Sequence, residues 1–318
     1  MSSSEVNLRE VPVLVTGGSG FVGSHLAARL AAAGARVRAL VRRAGDHPGL
    51  SSPNITQMEG DFVDPETARR ACAGMAFVVH SAATIGSDLA EARRVNAGGT
   101  AALAAAAREA GCRRFLHIST ISVYDWESGG GVFDETAPLK TVEKAYPHTP
   151  AAAPYYGLSK AEAERALQAE MERGLAATIL RLGAVLGVHP TSSWAILVPA
   201  KIREGQVSLA GGSELPWTHV ENVGHAMELA LANPVAAGRA YNVVDGHVPW
   251  ARYVEDVRSW FPDAPPAPGL PAEPSKPQGS FVSRCSSDRI RSELGYAPIR
   301  SYEEGMAEAE AWWRGDRS

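Results

Sequence analysis

The segment VPVLVTGGSGFVGSHLAARL, residues 11–30, constrains this chain more than any other. A short apolar run with the character of a buried strand leads into a cluster of glycines, and the glycines lead into a stretch rich in helix formers. Gly17 can make a tight turn, Gly20 admits close backbone approach, and Gly23 allows a helix to pack tightly on a strand. The start of that helix offers free N–H groups and the positive end of its dipole to a pyrophosphate. Two registers are readable. Gly18-x-Gly20-x-x-Gly23 fits the general dinucleotide fingerprint, and Thr16-Gly17-x-x-Gly20-x-x-Gly23 fits a variant with evenly spaced glycines. In this strand–loop–helix context the loop predicts a dinucleotide site, with Phe21 and Val22 in its closing turn.

The rest of the first half repeats the alternation. RVRALVR, ITQMEGD, AFVVHSAA, RFLHIST and AATILRLG read as strands, and PETARRACAG, AGGTAALAAAAREAG and the segment after Lys160 read as helices. Near-continuous apolar strands alternating with helices predict an α/β fold, a Rossmann-type doubly wound parallel sheet covered on both faces. Beyond about residue 184 the rhythm loosens. A dinucleotide-binding domain is expected over 1–183, with the strand and helix around 217–246 returning to it. A smaller, discontinuous substrate-binding domain is expected over 184–318. The proline-rich stretch 261–280 excludes helix and central strand, and reads as a surface connection.

Composition excludes several classes of function. The 318 residues are 45% hydrophobic and 21% charged with a formal net charge of −4, and no basic block suggests nucleic acid or an anionic membrane as partner. The N-terminus lacks the apolar core of a secretory signal, and no apolar run approaches the roughly 18 residues of a membrane-spanning helix. A cytoplasmic protein acting on a small molecule is the expectation. Cys72, Cys112 and Cys285 are widely spaced and beside no histidine cluster, so they read as reduced cysteines and not as metal ligands.

The second strand bears on which dinucleotide is bound. An NAD site usually carries Asp or Glu at its end to bond the ribose 2′-hydroxyl. Here RVRALVRRAGD has Val41 at the tip, followed by Arg42 and Arg43. A missing acid and a present guanidinium suit a 2′-phosphate, so NADP is expected over NAD.

In PYYGLSK, residues 154–160, Tyr156 and Lys160 stand four apart at the start of a helix-forming stretch and share a face, whereas Tyr155 does not. FLHIST ends in Ser119 and Thr120 at the C-terminal end of a strand, where ligands of doubly wound sheets bind. TGGSGFVG, EGDFVD, VVHSAA, VNAGGT, HISTISVYD, DETAPL, YYGLSK, LRLGAVLG, WTHVENVGHA and YNVVDG occur in order between about residues 11 and 246. On these motifs the chain resembles the extended short-chain dehydrogenase/reductase family, NAD-dependent epimerase/dehydratase-like, and within it the dihydroflavonol reductase and 3-beta-hydroxysteroid dehydrogenase branches.

The resemblance implies a catalytic triad of Thr120, Tyr156 and Lys160. Tyr156 would give and take the proton, Lys160 would bond the nicotinamide ribose, and Thr120 would bond the substrate oxygen. A nearby ammonium is expected to favour phenolate and bring Tyr156 toward working pH. It also implies that Asp61 and Phe62 lie on the adenine side, and that Ser81, Ala82 and Ala83 line the cofactor. Gly183 and Ala184 would sit in the segment contacting the carboxamide, and Asn96 would be scaffold. His80, His117 and His219 read as packing residues. Ser122, Tyr155 and Trp194 are expected in the substrate pocket, with Tyr146, Pro147, Pro154 and Trp217 as further apolar wall.

Three positions depart from the family. Leu182 stands where Pro is common, Ala184 where nucleotide-sugar enzymes carry Asn, and no Arg precedes WTHVENV. The reading is an NADP-dependent ketoreductase or alcohol dehydrogenase for an uncharged, partly apolar carbonyl compound. The alternatives are a nucleotide-sugar epimerase or dehydratase with bound NAD, and a non-catalytic dinucleotide sensor. The family implies a homodimer through the helix bearing Lys160.

Overall fold

The computed structural model describes residues 8–86, 88–128, 131–141, 153–207, 214–265 and 284–315. Its first half follows the alternation of apolar runs and helix formers. β1 (Pro12–Thr16), α1 (Phe21–Ala32), β2 (Arg36–Val41), β3 (Ile55–Glu59), α2 (Pro65–Cys72) and β4 (Phe77–His80) come first. Asp64 caps α2 by accepting from Thr67 N–H, with Pro65 at the first helical position. α3 (Leu89–Ala92) runs through a wider π turn at Arg93–Gly98 into α4 (Gly99–Glu109), followed by β5 (Arg114–Thr120).

β6 (Val132–Phe133), α5 (Tyr156–Glu172), β7 (Ala177–Leu182), β8 (Ala184–Leu186), α6 (Val198–Arg203), β9 (Glu214–His219) and α7 (Val220–Ala232) come next. The chain closes with β10 (Ala240–Val243), β11 (Gly246–Pro249), α8 (Trp250–Ser259), β12 (Arg284–Cys285), α9 (Asp288–Leu294) and α10 (Tyr302–Trp313). A capping box of Ser301 and Glu304 opens α10.

The main sheet has seven strands in the order β10-β7-β5-β4-β1-β2-β3, and every pair in it is parallel. Strand order reverses between β1 and β4, and an open parallel sheet binds its ligands at the C-terminal strand ends beside such a reversal. Valines and leucines of the central strands are buried on both faces. One core joins them to α1, α7 and α9, and another joins them to α2, α4 and α5. β8 breaks away from β7 after Gly183 and pairs with β9, which pairs antiparallel with β11. That smaller sheet has its own core with α6, α8 and α10, rich in Trp and Tyr.

The short strands β6, β8, β11 and β12 and helices α3 and α8 are additional to the elements expected from the sequence. Of the proline-rich stretch, only residues 261–265 fall within the described residues. Among the described residues no helix is long and apolar enough to cross a membrane.

The glycine loop shows why side chains are excluded there. Gly17 has φ +70°, and a Cβ at Gly23 would lie 2.1 Å from the Gly17 carbonyl oxygen. Gly23→Ala is therefore expected to cost about 1–3 kcal/mol of stability through overpacking, measured by denaturant unfolding, and to weaken dinucleotide binding at least about tenfold. Gly45→Ala, where no atom stands within 4 Å, is the matched control and should change neither.

Candidate active site

A cavity of about 760 Å³ opens at the C-terminal ends of β1, β2, β4, β5 and β7. Its floor is the glycine loop and the first turn of α1. That helix starts at Gly20 with no side-chain cap and no acidic residue in its first turn, so its N–H groups remain available to an anion. A dinucleotide's pyrophosphate fits this cradle. At the end of β2, Leu40, Val41 and Arg42 line the wall without a carboxylate. Asp61 and Phe62 line it after β3, and Ser81, Ala82 and Ala83 after β4. Asn96 holds the next residue in place: its side chain bonds Thr84 N–H and C=O and also Ser159 Oγ on α5.

On the other side of the cavity, Thr120 ends β5 and Tyr156 begins α5. A Cβ at Gly157 would lie 2.2 Å from the Ser122 carbonyl oxygen, so only glycine lets the first turn of α5 abut the 121–123 turn. That close approach brings Tyr156 and Ser122 into one wall. The hydroxyls differ in what remains free. Ser119 donates its proton to Glu164 at 2.5 Å, whereas Thr120 Oγ1 accepts from Ser122 N–H at 3.1 Å and keeps its proton.

Behind this wall lies a buried polar network. Arg181 on β7 grips the Glu164 carboxylate through Nε and Nη2, the shortest contact being 2.7 Å, and both side chains are almost inaccessible. Arg181 Nη1 donates to Tyr124 Oη at 2.9 Å, and Tyr124 donates to Asn242 Oδ1 at 2.7 Å.

Lys160 is 1% exposed and does not line the cavity; its Nζ lies 2.9 Å from His117 Nε2 and 2.8 Å from the Ile118 carbonyl oxygen. Burial lowers its amine to about 7 from 10.5, against the raising effect of Glu164. Burial pushes the Tyr156 phenol up to about 12. The expectation that the ammonium brings this phenol toward working pH is thus corrected for the protein alone. Lys160 is turned onto β5, and desolvation governs the phenol.

Of the other residues expected in the site, Gly17, Gly20, Phe21, Val22, Gly23, Gly183, Ala184 and Trp194 all line the cavity. Tyr155, Pro154, Trp217 and Arg43 do not. Trp217 packs in the core of the smaller sheet, and Arg43 points its backbone carbonyl at His47 in an exposed loop. Tyr146 and Pro147 lie outside the described residues. His80 and His117 are fully enclosed in the core, and His219 bonds Glu308.

Residues that sequence reasoning missed include Arg94, held by Glu91, and Thr191, Ser193, Leu215 and Pro216. The last two could have been found: they occupy the positions directly before WTHVENV, where the absence of Arg had been noted but not what stood there instead.

The lowered amine of Lys160 has a consequence for stability. The fold disfavours the charged form, so the penalty is complete below about pH 7 and fades as pH rises toward 10.5. Relative to Lys160→Met, the unmodified cofactor-free protein is therefore expected to gain stability between about pH 7 and 10 in denaturant titrations. A difference that stays flat with pH would contradict the burial of a titrating amine.

Residues 13–244 match the model of the NAD dependent epimerase/dehydratase family. A 4-hydroxy-2-methyl-3-oxo-4-farnesyl-3,4-dihydroquinoline-1-oxide ketoreductase of Stigmatella aurantiaca is 31% identical over 73% of this chain and 67% of its own. A dTDP-glucose 4,6-dehydratase of Streptomyces niveus is 27% identical over 96% of this chain and 94% of its own. Among solved structures, the dTDP-glucose 4,6-dehydratase DesIV of Streptomyces venezuelae, with NAD and TYD bound, superposes with TM-score 0.78 at 25% identity, covering 96% of this chain and 98% of that one. With a dinucleotide cradle at the reversal point of its sheet and a family match across most of its length, the chain belongs to the NAD dependent epimerase/dehydratase family.

Proposed function

We propose that the protein is an NADP-dependent ketoreductase that reduces an uncharged, partly apolar carbonyl compound. One observation carries the reading. Among the described residues, the charged side chains lining the cavity, Arg42, Asp61, Glu91 and Arg94, all belong to the β2–α3 side. The lining that shares the cavity with Tyr156 on the other side is uncharged: Ile121, Leu182, Ala184, Val185, Trp194, Leu215 and Pro216, with the hydroxyls of Thr120, Ser122, Thr191 and Ser193 among them. A diphosphate on that wall would be desolvated without a cationic partner, at a cost of several kcal/mol. An apolar carbonyl compound loses nothing there. In this reading the seven-stranded unit holds the cofactor and the smaller sheet, with its helices, supplies the substrate wall.

When bound, the reduced dinucleotide supplies a hydride. Tyr156 supplies the proton to the carbonyl oxygen, and a phenol pushed up to about 12 is protonated at neutral pH, as a donor must be. Thr120 rather than Ser119 polarises that oxygen, because its hydroxyl proton is uncommitted. Lys160 stands behind Tyr156 on the same helix. Arg42 at the end of β2 is the partner for a 2′-phosphate, and nothing in this reading requires Arg43.

A second reading, a nucleotide-sugar dehydratase or epimerase using NAD, draws support from the dTDP-glucose dehydratases, which align over nearly the whole chain. Calorimetry with UDP-glucose and TDP-glucose on the cofactor-loaded protein, beside NADPH consumption with aryl and cyclic ketones, separates the two. Ketone turnover without sugar-nucleotide binding is expected. Micromolar sugar-nucleotide binding with no ketone turnover would favour the second reading.

Two substitutions address the roles. Tyr156→Phe should lower kcat by on the order of 10²-fold or more with cofactor affinity nearly unchanged, and Tyr155→Phe should do far less; the reverse order would displace Tyr156 from its role. Arg42→Ala should weaken NADPH, but not NADH, by roughly 1.5–3 kcal/mol in fluorescence titrations. Equal affinity of the unmodified protein for both would remove the basis for NADP.

A further inference from the structure

His117 sits in the middle of β5, fully buried, and its ring is the nearest side-chain partner of the Lys160 amine. The two residues are 43 apart in the chain, and only the packing of α5 on β5 brings them together. Around the amine, β4 contributes His80, and α5 itself contributes Tyr156 and Glu164. On the elements packed against α5, Arg181 of β7 is committed to Glu164, and Arg93 of the π turn after α3 to Glu162. His80 cannot serve His117, because its two nitrogens already face Thr16 Oγ1 at 2.7 Å and Thr100 Oγ1 at 2.9 Å.

An imidazole has one acceptor nitrogen when neutral, and burial holds both His80 and His117 well below their ordinary range. The Ile118 carbonyl can only accept, so the amine donates to it. The Glu164 carboxylate one turn further along α5 favours the charged amine, which has a second N–H for His117. His117 Nδ1 then carries the ring proton, and it is the ring nitrogen left without a partner in the buried interior.

We infer that His117 is a positioning residue for Lys160: its Nε2 accepts from the amine, docking that side chain on β5 and offsetting part of what burial takes from its charged form. The inference rests on the reading of Lys160 as the group behind Tyr156. It adds that the state of this lysine depends on an imidazole which reaches neither cofactor nor substrate. Replacing that acceptor by a hydrocarbon leaves a buried ammonium short of one partner, and the amine answers by losing its proton more readily.

The test uses the full chain free of cofactor, with lysine labelled at 13Cε and histidine at both ring nitrogens with 15N. Lys160 is assigned by Lys160→Arg and His117 by His117→Gln. In His117→Phe the Lys160 midpoint should fall by about one pH unit, a tenfold shift in its protonation equilibrium. His117→Gln carries an amide oxygen to the same place and should restore the midpoint close to that of the unmodified protein. A midpoint unchanged in His117→Phe would reduce His117 to packing and overturn the inference. Should that variant not fold, the unmodified protein decides alone: the ring spectrum should show the proton on Nδ1, and a proton on Nε2 would mean that this nitrogen cannot accept. No turnover enters either measurement, so failure here leaves the ketoreductase reading to its own tests.

Discussion

The buried pair between Glu164 and Arg181 sets the geometry on which the rest of the site depends. Glu164 projects from the third turn of α5, and Arg181 from β7 beneath it. The same carboxylate takes the Ser119 proton at the end of β5, so one ionic contact ties the helix to two neighbouring strands of the sheet. Because Tyr156, Lys160 and Glu164 follow at four-residue intervals, anchoring the last of them sets the height and rotation of the first. A buried pair of this kind adds little net stability, but removing one partner leaves an uncompensated charge at a cost of about 3–5 kcal/mol. Its contribution here is registry: it fixes which residue of α5 meets the cavity.

The cavity divides by chemistry along the same line as the fold. The side built by β1, β2, β3, the start of α1, and α3 with its π turn offers backbone donors, Arg42 and the Arg94–Glu91 pair. The side built by β8 and β9 offers aliphatic and aromatic surface and hydroxyls. The division arises where the chain leaves the parallel sheet at Gly183. A Cβ there would approach the Pro216 carbonyl to 2.7 Å, so glycine lets β8 run hard against β9 and brings Leu215 and Pro216 to the wall. Family membership leaves both oxidoreductase and epimerase or dehydratase chemistry open. Among the described residues that wall carries no charge, and the proposed preference for a ketone over a sugar nucleotide rests on this.

Much of this was legible in the sequence, for reasons that are themselves physical. Buried parallel strands are continuous apolar runs, and the helices between them begin and end at recognisable residues such as Pro65 and Gly34, so the seven-stranded sheet could be read in order. The glycine loop could be placed from local spacing, whereas Thr120 and Tyr156 were singled out by the resemblance to the family's motifs, and both line the cavity. β8 and β11 could not, since three or four residues carry no usable period, and their partners in the smaller sheet are remote in the chain. The surroundings of Lys160 were also hidden. Four-residue spacing places it on the face of Tyr156, but says nothing of the histidine 43 residues earlier that takes up its amine. The expected lowering of the Tyr156 phenol failed for that reason: spacing gives a shared face, and desolvation decides the charge.

The central claim is net hydride transfer to a substrate that leaves, in place of a hydride held and returned within one sugar ring. NADPH deuterated at the transferring position of C4 tests it most directly, with an aryl ketone as acceptor and the products analysed by mass spectrometry. The account predicts one deuterium on the carbinol carbon of the alcohol and one oxidised cofactor released per turnover. Absence of deuterium from anything formed from the ketone, together with conversion of a sugar nucleotide at no net cost in NADPH, would contradict it.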